Sequence, residues 1–270
     1  MNWGIIGIGN MGTILIESLI ESGALDQKAI TITNRTIGKA LAIQEKYKGI
    51  HVEEDAVEVA RKATVLFICT KPKDMKHVFE QIEPALTKDH CVISITSPLA
   101  IDYLEEHLPC QVGRIVPSIT NRAFVGVSLC SFSSNMKPEM KALLMQTFKF
   151  ISKPIETDEN VIRVSSDIVS CGPAFLSFLM EKMMEASTEV TDLDKARATA
   201  LTTEMLKGYG ELLSKNHYTL QTLREKVSVK GGVTGEGLKV LEANIGDLFH
   251  KLFEATQQKH LKDKEEQKYW

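Results

Sequence analysis

The chain is poor in cysteine, and the few cysteines that it has do not form a pattern. Five are present among 270 residues, an odd number, scattered without the close pairs that ligate metals. Such usage is typical of a reducing compartment and gives no disulfide framework. We therefore expect a cytoplasmic protein without a metal site, in which Cys69 and Cys91 are small core residues.

The chain also lacks an excess of positive charge and long apolar runs. Its formal net charge is −3, which provides no basic surface for nucleic acid. No stretch reads as long and apolar enough to span a bilayer. The apolar N-terminus has no basic leading segment and soon meets Asn10, Glu17 and Glu21, which argues against a signal peptide. We expect neither nucleic acid nor a membrane as a partner.

The first twelve residues carry the pattern around which the rest of the chain is organised. The apolar run Asn2–Ile8 leads into Gly-x-Gly-x-x-Gly, beginning at Gly7, and at once into an amphipathic helix. In dinucleotide sites such glycines permit a tight turn, approach of the pyrophosphate and close helix packing. The spacing alone also fits a strand-turn-helix that binds nothing, but the downstream residues favour a site. The predicted cofactor contacts in this turn are Gly7, Gly9, Asn10, Met11 and Gly12.

The end of the second predicted strand selects between cofactors. The strand, Ala29–Thr33, is followed by Asn34 and Arg35. An NAD-preferring site usually has an acidic residue here, which holds the ribose hydroxyls. A guanidinium instead matches a phosphate. We predict a preference for NADP(H), with Asn34 and Arg35 in contact with it; the alternative for Arg35 is a solvated side chain at a strand end.

Two later strands end at what should be the same sheet edge. The runs Ala63–Cys69 and Cys91–Ile95 are apolar and rich in β-branched residues. Ligands of doubly wound sheets lie beyond the carboxyl ends of the strands. The predicted cofactor contacts that follow these runs are Thr70, Lys71, Pro72 and Thr96. Lys71 is equally compatible with an exposed lysine.

The order of strands and helices predicts the fold class. Strand-like and helical runs alternate as far as Ile155, which is typical of a mainly parallel sheet covered on both faces. From Asn160 only helical spacing remains. We predict an α/β protein: a Rossmann-type doubly wound NADP-binding domain over residues 1–157, followed by an all-α domain over 158–270. The charged end from Gln257 is expected to be solvated and frayed.

A glycine-rich loop, Val227–Thr234, precedes a predicted helix, Gly237–Leu241, with Thr234 placed as its N-cap. At this loop the chain resembles the pyrroline-5-carboxylate reductases, and the resemblance covers nearly its whole length in the same order. The segments that carry it are Gly7-x-Gly9-x-Met11-Gly12, Asn34-Arg35, Lys71-Pro72, Arg114-x-Val116-Pro117, Gly172-Pro173-Ala174-Phe175 and Gly231-Gly232-x-Thr234.

The resemblance implies an NADPH-dependent reduction of a small cyclic imino acid, pyrroline-5-carboxylate, to proline. It implies a homodimer or a ring of dimers with interleaved C-terminal helices, and an active site at the subunit junction. Thr234 would offer its hydroxyl to the imine nitrogen, or serve as a plain helix cap, or do both. Little acid–base machinery is needed, because positioning supplies most of the rate. The implied substrate contacts are Lys230, Gly231, Gly232, Val233 and Thr234. The alternative for Lys230 is a side chain that simply points to solvent.

Four segments depart from the family pattern, and they fall at the implied active site. They are Thr96-Ser97-Pro98, Ser118-Ile119-Thr120, Val169-Ser170-Cys171 and Val229-Lys230. The chain is therefore similar to a divergent branch, the late-competence ComER proteins of bacilli. Two alternatives to proline synthesis follow: a dinucleotide-binding regulatory protein without turnover, and a reductase of a different imine or oxo acid.

Overall fold

The computed structural model describes residues 1–267, and the strands in this range form a single sheet. Its eight members are β1 (Trp3–Ile6), β2 (Ile30–Thr33), β3 (His51–Val52), β4 (Val65–Ile68), β5 (Cys91–Ser94), β6 (Gln111–Val116), β7 (Val127–Phe132) and β8 (Lys153–Glu156). Every strand predicted from the sequence is present, so the alternation of elements is confirmed.

Twelve α-helices accompany the sheet within the described residues. They are α1 (Asn10–Glu21), α2 (Ile37–Lys46), α3 (Ala56–Lys62), α4 (Pro72–Ile82), α5 (Ile101–His107), α6 (Pro138–Phe148), α7 (Ile162–Ser166), α8 (Gly172–Val190), α9 (Lys195–Ser214), α10 (Leu220–Val227), α11 (Val233–Ile245) and α12 (Leu248–Gln267). Helix α5 was not predicted, because its seven residues bury only Ile101 and Leu104 and so give no periodic pattern.

The sheet has the order β3-β2-β1-β4-β5-β6-β7-β8. All pairs are parallel except β6 with β7, which is antiparallel. The order reverses between β1 and β4, since the chain moves outward from β1 through β2 to β3 and then crosses back. Such a reversal opens a crevice at the carboxyl ends of the strands, where ligands of this class of fold bind.

Two hydrophobic clusters cover the two faces of this sheet. One contains Trp3, Phe67 and Phe148, whose rings contact each other with centroids 6.0 and 5.8 Å apart. The other packs α3, α4 and α5 against alternate residues of the same strands, such as Leu66 and Ile68. Because β1, β4 and β5 are buried on both faces, they are continuous apolar runs rather than alternating ones.

After β8 the chain is helical as far as the structure describes it, which is the expected change of pattern. The chain divides into two compact units: Met1–Pro173 with the described residues from Ala255, and Ala174–Glu254. The predicted boundary at residues 157 and 158 therefore marks where strands stop, whereas the first compact unit continues to Pro173. The physical reason is burial, because Ile162 and Asp167 are each 1% exposed within the first unit.

The C-terminal helix corrects the expectation of a solvated end. Helix α12 continues through Gln267 instead of fraying from Gln257. His260 is only 5% exposed, and the hydroxyl of Thr256 donates to the Asp167 carboxylate at 2.7 Å. The lysines and glutamates of this segment therefore form the outer face of a docked helix.

The expectation that no segment is long and apolar enough to span a membrane is also wrong, when a segment is judged by its length and composition alone. The helical run Ile162–Val190 has 29 residues, and an 18-residue window within it has a mean hydropathy of 1.2, so by this criterion the helix is long and apolar enough to cross a bilayer. One such run is a weak indication, since helices of soluble proteins meet it too. Several of its large apolar side chains, among them Phe178 and Met183, are exposed in the single chain, whereas Ile162 is buried.

Candidate functional site

The glycine turn after β1 has the geometry that a dinucleotide requires. Gly7 adopts φ +104°, and a Cβ there would lie 2.9 Å from the Cys69 carbonyl group. A Cβ on Gly12 would lie 2.2 Å from the Gly7 carbonyl oxygen, so α1 packs directly on the turn. A Cβ on Gly9, in contrast, would have no atom within 4 Å, which leaves the outer side of Gly9 open to a ligand. Burial raises the pKa of the Cys69 thiol beneath the turn to about 12, so it is neutral.

The first helix presents free backbone donors at this turn. Gly9 is the N-cap of α1 and has no side chain to satisfy the first N–H groups. Helix N-termini with free N–H groups attract phosphate through hydrogen bonding and the helix dipole. Asn10 is exposed beside these donors, whereas the side chain of Met11 packs against the core. The Met11 side chain is partly buried, and its backbone N–H lies in the first turn of α1.

Asn34 fixes the end of β2 against the glycine turn. Its Oδ1 accepts a hydrogen bond from the Ile8 backbone N–H at 2.8 Å. Its Nδ2 donates to the Thr36 carbonyl oxygen at 2.9 Å. Both ends of the amide are thus engaged within the protein, so Asn34 positions the turn. A direct contact of Asn34 with the cofactor stays a prediction.

Two cations flank the turn on the side of α2. The Arg35 side chain is 88% exposed, and its nearest acid is Asp74 at 3.8 Å from NH1. Lys39, in the first turn of α2, lines a cleft of about 280 Å³ together with Gly9 and Thr13. Sequence reasoning missed Lys39, although its place three residues after Thr36, the N-cap of α2, puts it in the helical turn that follows Arg35.

The turn after β4 contacts the glycine turn directly. A Cβ on Gly7 would meet the Thr70 backbone nitrogen at 3.0 Å. The Thr70 hydroxyl is buried and has no hydrogen-bond partner within the described residues. Lys71 is the exposed N-cap of α4, and Pro72 is the first residue of that helix, where its missing N–H costs nothing. These three predicted residues therefore adjoin the glycine turn.

The segment after β5, residues 95–100, is held to the same edge. The Thr96 hydroxyl lies 3.3 Å from Ser94 Oγ and 3.9 Å from the sulfur of Met75 in α4. Arg114, which is fully buried, donates from NH1 to the carbonyl oxygens of Ser97 at 3.0 Å and Leu99 at 2.7 Å. Burial lowers the pKa of the Arg114 guanidinium. The Glu159 carboxylate, which accepts a hydrogen bond from NH2, acts in the opposite direction and raises that pKa.

The helix after the glycine-rich loop of the second compact unit, α11, begins earlier than the sequence predicts. Helix α11 begins at Val233 with Gly232 as its N-cap, so Thr234 is its second residue and does not cap it. Gly231 adopts φ +78°, which a side chain would strain. The Thr234 hydroxyl makes no hydrogen bond to any residue from 1 to 267, and Lys230 is exposed.

A polar cluster that sequence reasoning did not find lies behind the β5 segment. Arg163 donates to the Ser97 hydroxyl at 2.9 Å and to the Asp167 carboxylate at 2.5 Å. Asp167 begins a π-helical turn that joins α7 to α8, and such turns are frequent at functional sites. The only sequence signal was the pair of opposite charges four residues apart on one helical face.

Comparison with known proteins decides the family. The description "NADP oxidoreductase coenzyme F420-dependent" matches residues 2–98, and "Pyrroline-5-carboxylate reductase dimerisation" matches residues 159–263. The chain is 48% identical to ComE operon protein 4 of Bacillus subtilis (strain 168), over 97% of this chain and 96% of that one. It is 30% identical to a pyrroline-5-carboxylate reductase of Staphylococcus aureus (strain COL), over 87% of both chains. The chain belongs to the pyrroline-5-carboxylate reductase family.

A solved structure agrees with this assignment. The pyrroline-5-carboxylate reductase of Coxiella burnetii superimposes with a TM-score of 0.87 at 27% identity, covering 97% of this chain and 98% of that one. The fold is thus that of the reductase family: an N-terminal Rossmann-type NADP domain and a C-terminal helical dimerisation domain. The fold class, the family and the NADP cofactor inferred from the sequence are confirmed.

Three of the segments that depart from the family pattern contact one another. Arg163 bridges two of them, since NH1 donates to the Ser97 hydroxyl and NH2 lies 3.5 Å from the sulfur of Cys171. The Ser118 hydroxyl donates to the Val169 carbonyl oxygen at 2.6 Å. The unusual residues therefore form one connected region rather than isolated substitutions.

Proposed function

We propose that the chain is an NADPH-dependent reductase of a small cyclic imino acid, converting pyrroline-5-carboxylate to proline. The observation that carries this proposal is the glycine turn of a member of the reductase family. Gly7 and Gly12 have no room for a side chain, whereas Gly9 is open at the uncapped start of α1. When bound, NADPH supplies the hydride that reduces a C=N bond.

Residues of the first compact unit supply the contacts with NADPH in this proposal. The backbone N–H groups at the start of α1 bind the pyrophosphate, and Arg35 and Lys39 bind the additional phosphate that distinguishes NADPH from NADH. The turn at Thr70 and Lys71 and the segment at Thr96 line the carboxyl ends of β4 and β5, next to the glycine turn. Asp74 neutralises part of the charge of Arg35, so a second cation at Lys39 strengthens the preference for a phosphate.

Residues of the loop before α11 bind the substrate. The N–H groups of Gly231 and Val233 lie at a helix start without a side-chain cap, an arrangement suited to a carboxylate, whereas the Gly232 N–H already donates to the Val229 carbonyl oxygen at 3.0 Å. The Thr234 hydroxyl, which is free of partners within residues 1–267, donates to the imine nitrogen or to its developing amine. Lys230 adds a positive charge beside the carboxylate. Positioning and exclusion of water supply most of the rate.

The deciding experiment measures loss of the absorbance of NADPH when purified protein is mixed with pyrroline-5-carboxylate. We expect turnover by the wild type and a loss of at least about 100-fold in Thr234→Ala, as for removal of a group that contacts the reacting atoms. Thr203→Ala is a matched control, because that hydroxyl donates to a carbonyl within α9. Equal activity of the two variants would refute the role of Thr234.

A second candidate function is a dinucleotide-binding regulatory protein without turnover. It is favoured by the 48% identity to ComE operon protein 4 and by the four departing segments. Calorimetry separates the two functions: NADPH binding without oxidation by pyrroline-5-carboxylate or any other imino or oxo acid would establish this candidate. Turnover with another imine or oxo acid alone would instead change the substrate.

The family assignment and the free cysteines support a proposal for the assembly and the compartment. A homodimer through the helices of residues 159–263 would cover the exposed apolar side chains of α8 and α9. We therefore assign the apolar run Ile162–Val190 to contact between subunits rather than to a membrane. All five cysteines are free, which fits the cytoplasm. Neither nucleic acid nor a membrane is a proposed partner.

A further inference from the structure

The segment after β5, which we call the β5 loop (residues 95–100), is held from two directions. Arg114 donates to the carbonyl oxygens of Ser97 and Leu99 and so fixes the backbone. Arg163 donates from NH1 to the Ser97 hydroxyl at 2.9 Å and so fixes the side chain. Ser97 is only 6% exposed, which means that neither hydrogen bond has water as a ready substitute.

Arg163 is itself fixed by a buried carboxylate. Its NH2 and Nε donate to the two oxygens of Asp167 at 2.5 and 3.3 Å. The Asp167 side chain is 1% exposed and the Arg163 side chain 16% exposed. A carboxylate buried to this degree is stable as an ion only when its oxygens are all paired, so the geometry of this pair is narrowly defined.

Another partner of Asp167 comes from the C-terminal helix. The Thr256 hydroxyl donates to Oδ2 of Asp167 at 2.7 Å, across 89 residues of sequence. A continuous path of hydrogen bonds thus runs from α12 to the β5 loop through Thr256, Asp167, Arg163 and Ser97. All four residues belong to the first compact unit.

The β5 loop lies where a bound dinucleotide must extend. β5 is the second strand from β1 on the side of the order reversal, about 10 Å from the glycine turn. A cofactor with its pyrophosphate on α1 therefore meets the β5 loop with its distal half. A displacement of this loop would therefore act on the distal half of a bound dinucleotide rather than on its phosphates.

We propose that Thr256, Asp167 and Arg163 are positioning residues, which transmit the docking of α12 to the β5 loop and thereby align the distal half of the cofactor. The inference rests on the proposed reductase function only for its kinetic consequence. The structural part, that α12 orders the β5 loop, holds for the protein without cofactor.

Hydrogen exchange of the cofactor-free protein, followed by mass spectrometry, tests the structural part. Thr256→Val removes the hydroxyl at nearly constant volume, and Thr256→Ser restores a hydroxyl. We expect amide exchange in the β5 loop to quicken about tenfold in Thr256→Val, to return towards the wild-type rate in Thr256→Ser, and to stay unchanged in the glycine turn. Thr64→Val, at the opposite end of β4, is the matched control.

A double-mutant cycle tests the path. Ser97→Ala removes its last link, so Ser97→Ala and Thr256→Val should each quicken exchange of the β5 loop and their combination should add little more. Additive effects, or exchange in Thr256→Val equal to that of the wild type or of Thr64→Val, would overturn the proposal.

Kinetics test the functional part. In Thr256→Val we expect kcat to fall about tenfold while KM for NADPH changes less than about twofold, since misplacement of the reacting ring lowers the rate without loosening the phosphates. Rescue of kcat in Thr256→Ser supports positioning. A change in KM alone would contradict it. If the wild type itself reduces no imino or oxo acid, the proposed function fails, and the exchange measurements still decide whether α12 orders the β5 loop.

Discussion

Gly7, Gly9 and Gly12 share one turn but meet three different environments. Gly7 needs a left-handed backbone conformation, Gly12 needs contact between a helix and a carbonyl oxygen, and Gly9 needs empty space. The first two requirements concern folding and the third concerns access by a ligand. The same residue type therefore predicts different consequences when it is replaced.

Replacing Gly12 and Gly9 by alanine should separate folding from binding. In Gly12→Ala the new methyl group overlaps the Gly7 carbonyl oxygen, and we expect a loss of about 1–3 kcal/mol in the free energy of unfolding. In Gly9→Ala the thermal midpoint should stay near that of the wild type, while the affinity for NADPH falls at least about tenfold. Denaturant unfolding and calorimetry measure the two effects. Equal stability of the two variants would contradict the inference that Gly12 has no room for a methyl group whereas Gly9 has.

The cations beside α2 should decide between the two pyridine cofactors. We expect Arg35→Ala and Lys39→Ala each to weaken NADPH binding about tenfold and NADH binding less than about twofold, because only NADPH has the additional phosphate. Calorimetric titration with both cofactors measures this ratio. Lys48→Ala, just beyond the other end of α2, should change neither affinity. Equal loss of both cofactors would refute the assignment.

At the scale of secondary-structure elements, docking of α12 is the least anticipated feature. Its sequence is rich in charge, yet Thr256 and His260 both lie on a buried face. Burial lowers the pKa of His260 to about 4, with Lys264 of the same helix and Arg163 and Arg114 from other elements acting in the same direction and Asp263 opposing them. His260 is therefore neutral in the folded protein at neutral pH.

Stability should fall as the pH drops from about 6.5 to about 4. In this range the unfolded chain binds a proton at His260 that the folded chain does not, so that acid favours unfolding, by about 3 kcal/mol in total. The contribution is complete above pH 6.5. Thermal unfolding across this range should show a shallower fall in Tm for His260→Gln than for the wild type. Gln258→Ala, at an exposed position of α12 with no titratable side chain, should leave the slope unchanged.

At the scale of the whole molecule, the second compact unit exposes many large apolar side chains, a feature that marks interaction surfaces when the side chains are contiguous. On α8 and α9 the exposed side chains include Phe178, Met183, Leu201 and Met205. The match of residues 159–263 to a dimerisation family supports a homo-oligomer, and the partner that we propose for this surface is a second copy of the chain. Folding and assembly are then coupled, because burial of this surface is completed only on association.

A charge placed on this surface should prevent assembly. Phe178→Glu or Leu201→Glu puts a carboxylate among apolar side chains, and we expect a shift from dimer to monomer at micromolar concentration. Analytical ultracentrifugation measures the mass directly. Glu185→Gln, which changes charge on α8 but no apolar side chain, should stay dimeric. A wild type that sediments as a monomer would refute the proposed assembly.

Local patterns in the sequence account for most of the fold and for the predicted cofactor contacts at the carboxyl ends of the strands. A strand, a glycine turn and a helix are specified within twelve residues, and the change from alternating elements to helices alone is visible in the order of apolar runs. Arg35 was identifiable because it follows a strand end at a position whose chemistry is known from the fold. These features are recognisable because each depends on residues that are close in sequence.

Tertiary structure alone decided which polar residues act together. The partners Arg163 and Ser97 are 66 residues apart, Thr256 and Asp167 are 89 apart, and no short-range periodicity records either pairing. It also decided that Asn34 ties down the turn, that Gly232 and not Thr234 caps α11, and that α12 docks. The physical reason is that a polar group becomes buried, and so needs a specific partner, only when distant segments exclude water around it.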